Sequence, residues 1–351
     1  MEHAVWAAQD TTAPQIEAAL RAMLAERHAA DAAYVPARVL NLVLVVDREW
    51  RGEVLNRLER VGRHHPSRTI LCAVEPGRTT LDARVTTTAP ARSGEAAPAV
   101  AQERVEIACG PGHIPHLDTI VDPLVVTDLA TVVWCPHGHE EARRALLRLA
   151  QVVLIDSLDE PDPRAAIAQA RRLAEEAYVV DLAWLRTTPW RERVSAAFDP
   201  PRRRGELGRI DAVTVRHRAD SVVSALLLLG WLASRLGWEP GAIAGVDGVL
   251  AGRARTRRGE VALRLEPDRG QDVPGLAGLT IETASGTALA LDRGRGGLRA
   301  RRRSADGRER RWTVLGASRG EPGILGEGIR QALLRDPTYR PALEAAGRML
   351  A

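Results

Sequence analysis

Residues 38–46 read Arg-Val-Leu-Asn-Leu-Val-Leu-Val-Val, apolar throughout except for Arg38 and Asn41. A strand with one wet face would alternate apolar and polar residues. A valine-rich run without alternation is the pattern of a strand covered on both faces, as in a parallel sheet flanked by helices. The pattern returns at Thr69–Val74, Ala130–Cys135 and Val152–Asp156. Helical spacing fills the gaps, at 49–62, 140–150 and 163–176, after a first helix over 16–30. Strands alternating with helices define an α/β domain. Leu81–Thr88 and Arg104–Cys109 read as two more strands, joined by the turn-rich segment 89–98. They predict an antiparallel portion and hence a mixed sheet.

The pattern changes past Asp199-Pro-Pro-Arg-Arg-Arg-Gly205, which reads as a break in regular structure. A strand at 210–215 precedes a helix capped by Asp220 or Ser221 and running to about Leu236. Its apolar run, 222–233, is too short to cross a bilayer and reads as a buried spine. Short segments at 260–265, 278–283, 287–291, 298–303 and 311–315 follow, punctuated by turn residues, and two helices at 325–334 and 340–350 close the chain. The expected fold class is α/β plus α+β. Residues 1–200 form a mixed-sheet α/β domain ending in a joint at Asp181–Arg191. Residues 201–351 form an α+β domain, an antiparallel meander packed on a long buried helix. Limited proteolysis is expected near 202–205 or in 89–98, and not inside 39–46 or 222–233.

Composition removes several functions. The chain has no lysine, so its basic residues are all arginine. A phosphate loop of the Walker type and a pyridoxal Schiff base both need lysine. Asp47-Arg-Glu-Trp-Arg-Gly52 follows the first buried strand, where a glycine-rich dinucleotide loop would have to stand, so no cofactor is expected. Gly316-Ala-Ser318-Arg-Gly320 matches a nucleophile elbow. The triad order of that fold needs a histidine downstream, and the last histidine is His217. The N-terminus lacks a basic region and an apolar run, and the three cysteines are far apart. Both features fit a cytoplasmic protein without a disulfide framework and without a membrane anchor.

Three groups of residues remain as candidates. Trp184, Arg186, Trp190 and Arg191 crowd the joint. They read either as core anchors or as partner contacts, since Trp and Arg are enriched in binding hot spots. Helical spacing from Pro189 sets Trp190 and Val194 toward the core and leaves Arg186 or Arg191 to reach outward. Segment 293–311 is rich in arginine, with Arg301, Arg302 and Arg303 in succession. These read as outward positions of a sheet or as a protein interface. The scarcity of aromatic residues there speaks against nucleic acid. Cys109, His113 and His116, with Cys135, His137 and His139, are zinc-compatible ligand types on loops at strand ends. Their spacings match no known finger or protease helix, so no metal is expected. Cys72 lies inside a strand, and Cys109 and Cys135 are the more exposed pair on this reading.

Several stretches, in order along the chain, resemble the glucose-6-phosphate dehydrogenase assembly proteins, OpcA, of actinobacteria and cyanobacteria. They are Arg38–Val46, His65-Pro-Ser-Arg-Thr-Ile70, Asp122–Pro136, Val153-Leu-Ile-Asp-Ser157, Asp181-Leu-Ala-Trp-Leu-Arg-Thr-Thr-Pro-Trp-Arg191, Leu229-Gly-Trp-Leu-Ala-Ser-Arg-Leu-Gly-Trp238 and Asp336-Pro-Thr-Tyr339. Trp134-Cys135 departs from the family, which often has two tryptophans there. The resemblance implies a non-catalytic allosteric activator that binds glucose-6-phosphate dehydrogenase and promotes its active oligomer in the oxidative pentose phosphate pathway. It links activation in cyanobacterial members to thioredoxin and cysteines. This chain has no Cys-x-x-Cys, so that switch is not carried over. The competing reading is an enzyme or sensor that holds sugar phosphates through arginine clusters, because arginine pairs bidentately with phosphate.

Overall fold

The apolar run at 38–46 becomes a central strand of an eight-stranded sheet. The computed structural model describes residues 2–30, 38–61, 66–89, 102–246, 248–315 and 320–351. The expected cleavage segment 89–98 lies outside them except for Ala89, and Gly316–Arg319, with Ser318, lies wholly outside. The chain forms two compact units: Met1–Ile155 with Glu176–Val180 and Leu325–Arg335, and Asp156–Glu175 with Asp181–Ile324 and Asp336–Ala351. The chain therefore passes between units several times, where the sequence reading has one boundary near residue 200. The joint itself belongs to the second unit.

The first sheet contains β1 (Glu2–Thr11), β2 (Leu40–Asp47), β3 (Ser67–Val74), β4 (Leu81–Ala89), β5 (Gln102–Cys109), β6 (Thr131–Trp134), β7 (Val152–Ile155) and β8 (Tyr178–Asp181). Its order is β1-β4-β5-β3-β2-β6-β7-β8. Strands β5, β3, β2, β6 and β7 run parallel, while β4 is antiparallel to both β5 and β1. Apart from the inserted β4 and the edge strand β1, this is the doubly wound order of nucleotide-binding sheets. Helices α1 (Ala13–Ala30), α2 (Arg51–Val61), α3 (Leu117–Val121) and α4 (Glu140–Leu146) accompany it. Val43 and Val45 of β2 and Ile70 and Cys72 of β3 share one core with Ile16, Leu20 and Met23 of α1. The residues between them, Leu42, Leu44 and Leu71, are buried as well. Both faces of the central strands are thus covered, which explains the missing alternation.

Asn41 is the polar interruption of that run, and it is fully buried. Its amide donates to the carbonyl of Val126 at 2.9 Å and to Thr131 Oγ1 at 3.2 Å, and its Oδ1 accepts from Val126 N at 2.9 Å. A buried amide with partners on both ends fastens the segment before β6 to β2 and avoids the cost of an unpaired polar group. Arg68 of β3 acts similarly, donating to Glu103 at 2.9 Å and to the Leu124 carbonyl at 3.0 Å.

In the second unit, α5 (Pro163–Glu176), α6 (Leu182–Leu185), α7 (Thr188–Phe198) and α8 (Pro201–Leu207) precede β9 (Ile210–Arg218) and α9 (Val222–Leu236). The expected break at 199–205 is therefore mostly helix: Pro201 occupies the first helical position, where its missing N–H costs nothing. Strands β10 (Glu239–Pro240), β11 (Ala244–Val246), β12 (Val249–Thr256), β13 (Gly259–Asp268), β14 (Leu276–Thr283), β15 (Ala288–Gly294), β16 (Gly297–Arg303) and β17 (Glu309–Leu315) complete a nine-stranded sheet. Its path is β10-β12-β13-β9-β14-β15-β16-β17, with β11 on β12. The meander β14 to β17 is antiparallel, as expected, and the one parallel pair on this path is β13 with β9. Two helices, α10 (Gly320–Leu334) and α11 (Tyr339–Met349), end the chain. The spine α9 packs on α11. A Cβ at Gly230 would stand 2.2 Å from the Ala342 carbonyl oxygen, so the two helix backbones approach closer than any other residue allows.

Candidate functional site

The joint is a buried polar cluster that draws partners from two other stretches of the family resemblance, Val153–Ser157 and Asp336–Tyr339, and from Glu321 outside them. Asp181 is 1% exposed. It ends β8 and caps α6, accepting from Ala183 N at 2.9 Å. It also accepts from Ser157 N at 3.1 Å, Ser157 Oγ at 2.6 Å and the Tyr339 hydroxyl at 3.0 Å. Burial pushes its carboxyl up to about 6, with nearby Asp156 adding to the effect and the Ser157 and Ala183 hydrogen bonds opposing it. Trp184 donates its indole N–H to Asp336 at 2.9 Å. The Arg191 guanidinium lies 3.6 Å from the centre of the Trp184 ring and 3.5 Å from Asp336. Burial lowers Arg191 to about 10, against the pull of Asp336.

Arg186 meets Asp156 with two parallel hydrogen bonds of 2.8 and 2.7 Å, and Glu321 with bonds of 3.1 and 2.6 Å. Burial works against its charge, but the two carboxylates outweigh it and raise its pKa. Gly275, at φ +97°, brings its backbone against the Arg186 stem, 3.3 Å from where a Cβ would sit. The expectation that Arg186 or Arg191 reaches outward is therefore corrected. The guanidinium of each is drawn inward by a carboxylate that is distant in sequence, and no local spacing announces it. Trp190 and Val194 are buried, as helical spacing requires, and the Trp190 indole N–H has no acceptor among the described residues.

Arg301, Arg302 and Arg303 are adjacent in sequence but do not form one patch. Strand geometry sends alternate side chains to opposite faces. Arg301 and Arg303 are exposed, with Glu309 at 3.6 Å and Glu282 at 3.9 Å respectively. Arg302 points the other way, toward α7. There it donates to the Ala197 carbonyl at 3.2 Å and lies 5.7 Å from the Phe198 ring centre. A cleft of about 310 Å³ opens on that side between α7, α8 and strands β15 to β17. It is lined by Arg193, Arg203, Arg302 and Arg310 above apolar residues that include Trp312 and Val314. Sequence reasoning missed Arg193, Arg203, Arg310 and Trp312 as companions of Arg302. The period of two along β16 is the signal that separates Arg302 from its neighbours.

The six metal-compatible residues are not brought together: among the described residues no group of three His, Cys, Asp or Glu side chains could hold a metal ion. Cys109 follows Val105 and Ile107 at spacing two onto the core face, and Cys135 joins the same core. The expected exposure of these two thiols is corrected, since both are buried, and burial raises them to about 11 and about 12. His113 is turned back on its own loop, its Nδ1 accepting from Gly110 N at 3.0 Å. His116 is exposed on the same loop. His137 stacks on Trp50 with ring centres 4.6 Å apart, and His139 Nε2 lies 3.4 Å from Asp47. This last pair of contacts sits between the carboxyl ends of β2 and β6, where a doubly wound sheet reverses its order and binds dinucleotides. Instead of a glycine loop, the position carries a 3-10 turn, Arg48–Trp50, with its aromatic ring on His137. A second cleft of about 490 Å³ nearby is lined by three basic and three acidic side chains: Arg48, Arg51 and Arg84 with Glu75, Asp82 and Glu106. Arg48 pairs with Glu75 and Arg51 with Glu106.

The class defined here is a two-unit protein: a doubly wound sheet whose switch point is filled by side chains, and a mostly antiparallel sheet bearing arginine on both faces. Residues 58–172 match the family model described as glucose-6-phosphate dehydrogenase subunit N-terminal domain. Residues 177–343 match the corresponding C-terminal domain. The chain belongs to the OpcA family of glucose-6-phosphate dehydrogenase assembly proteins. It is 29% identical over 201 residues to a candidate OxPP cycle protein, OpcA, of Synechococcus elongatus, covering 56% of this chain and 45% of the relative. The Synechocystis protein of the same description is 31% identical over 131 residues, 36% of this chain and 28% of that one. The match thus spans less than half the length of these relatives. Among solved structures, the WlbA dehydrogenase of Bordetella pertussis aligns over 91% of this chain and 95% of its own at 12% identity, with a TM-score of 0.44.

Proposed function

We propose that this chain is a non-catalytic partner of glucose-6-phosphate dehydrogenase that binds the enzyme, promotes its active oligomer and raises its activity in the oxidative pentose phosphate pathway. The observation that carries the reading is the pair of consecutive family matches, whose descriptions name a subunit of that enzyme. Two features of the molecule agree with it. The switch point of the first sheet is occupied by the Trp50–His137 stack. Arginine, a residue favoured at interfaces, is exposed on the outer face of β16.

Trp184, Arg186, Trp190 and Arg191 then act from inside, as anchors that hold the second unit in shape. The contact surface falls to Arg301 and Arg303 on the exposed sheet face, with Arg302 on the reverse side. The decisive assay measures the host dehydrogenase with and without this protein, by rate and by size-exclusion elution. A shifted elution and an increased rate are expected. Unchanged elution together with an unchanged rate would end the proposal.

A further inference from the structure

Among the described residues, several buried arginines have a carboxylate, as Arg186 has Asp156 and Arg68 has Glu103. The larger cleft, around Arg51 and Glu75, balances its own charges. The cleft beneath α7 does not. Among the described residues, Arg203, Arg302 and Arg310 have no carboxylate within ion-pair distance, and the nearest one to Arg193 is its chain neighbour Glu192 at 4.0 Å. Arg203 and Arg302 both donate to the same carbonyl, that of Ala197, at 3.3 and 3.2 Å. Two guanidinium groups are thereby held side by side at the end of α7. Glu206, three residues after Arg203, is engaged by the hydroxyls of Thr283, Ser285 and Thr287. The Nε of Arg193 is buried with no hydrogen-bond partner. Burial first, then the neighbouring charges of Arg203 and Arg202, lower the pKa of Arg302, and the more remote pull of Glu206 does not offset them.

Such an arrangement is unfavourable when empty and becomes favourable when an anion enters. Guanidinium forks match phosphate oxygens two at a time, which makes arginine the natural reader of that group. The floor of the cleft is apolar and includes the Trp312 ring, with Arg310 6.0 Å from its centre. A volume of about 310 Å³ lies at the lower end of the range for small-ligand sites, roughly 300–1,000 Å³. We propose that this cleft binds a small phosphate monoester, the phosphate held by Arg203 and Arg302 and the uncharged part lying on Trp312 and Val314. The concavity and the convergence of the donors favour a compact ligand over an extended acidic peptide.

The test needs only the purified protein, so its outcome is separate from that of the dehydrogenase assay. Calorimetric titrations compare glucose 6-phosphate, glucose, inorganic phosphate and a polyglutamate peptide at fixed salt. The monoester should bind saturably at one site per chain and at least tenfold more tightly than inorganic phosphate, and glucose should not bind. Arg302→Gln should weaken binding at least tenfold, whereas Arg301→Gln and Arg303→Gln, on the opposite face of the same strand, should leave it within twofold. If Arg302→Gln does not fold, Arg203→Gln on helix α8 carries the same expectation. Absence of saturable monoester binding would overturn the proposal, as would binding that survives Arg203→Gln and Arg302→Gln. Equal affinity for inorganic phosphate, or binding of polyglutamate alone, would overturn the metabolite assignment in favour of a bare anion site or a peptide site.

Discussion

Around Arg186 each guanidinium has found a carboxylate; around Arg302, among the described residues, Arg193 alone has one, its chain neighbour Glu192, although both regions lie in the same unit and are built from the same residue type. Arg186 is held by Asp156 and Glu321, and Arg191 by Asp336. Those contacts join helix starts and turns scattered from 156 to 336, so the charges serve cohesion. The arginines of the cleft come from α7, α8, β16 and β17, and two of them, Arg203 and Arg302, donate to a backbone carbonyl instead. An ion pair completed inside the chain leaves little for a ligand to gain. An incomplete one leaves donors for an outside partner. Arginine content alone does not distinguish the two cases; the location of the carboxylates does.

The comparison can be broken most forcefully from the buried side. Trp190→Ala empties a fully buried aromatic site and should cost about 3–5 kcal/mol, read as a lowered urea midpoint. An unchanged midpoint would mean that Trp190 is no anchor. Arg186→Ala strands Asp156 and Glu321 and should cost roughly 3 kcal/mol, since breaking a buried pair leaves a charge without compensation. A loss under about 0.5 kcal/mol, the usual size for a surface change, would place Arg186 with the exposed arginines after all.

A pH series sharpens the same contrast. The folded Asp181 carboxyl titrates at about 6 against an unperturbed 3.8, so the native state holds its proton longer than the unfolded chain does. Below about pH 4 the group contributes nothing, because it is protonated in both states. Between about pH 4 and 6 the unfolded chain gives up the proton first, and stability falls as pH rises. The accumulated loss is roughly 3 kcal/mol above pH 6. Urea melts of Asp181→Asn across that window should show a shallower fall than the parent; parallel curves would remove Asp181 as the source. The smallest effect belongs to the exposed face. Arg301→Ala and Arg303→Ala should each change stability by less than about 0.5 kcal/mol, because their ion pairs are exposed. Under the proposed function the double variant should nevertheless lose activation of the dehydrogenase, and full activation by it would move the contact surface elsewhere.

Much of the architecture is legible along the chain. The largely apolar runs at 38–46 and 69–74 place two central strands within a residue or two, and α5 falls on its expected span. The spine α9 follows from an apolar run longer than two helical turns. β1 was not anticipated. Its composition, Glu-His-Ala-Val-Trp-Ala-Ala-Gln-Asp-Thr, has no clear period, and it is a strand because β4 offers it an edge. The helix α8 escaped notice because two prolines and a glycine read as a break, although a proline in a first turn is compatible with a helix.

By itself, then, the sequence determined the classes of the two folds, the absence of lysine chemistry and the burial of Trp190 with Val194. Each of these depends on residue type or on a period of two or 3.6, which are local quantities. Only the tertiary structure decided that Arg186 is an internal ion pair, that Cys109 and Cys135 are core thiols, and that Arg302 parts from Arg301 and Arg303 to join Arg193, Arg203 and Arg310. Charge compensation depends on which side chains meet across 30 to 150 residues of intervening chain, and that distance is closed only by folding.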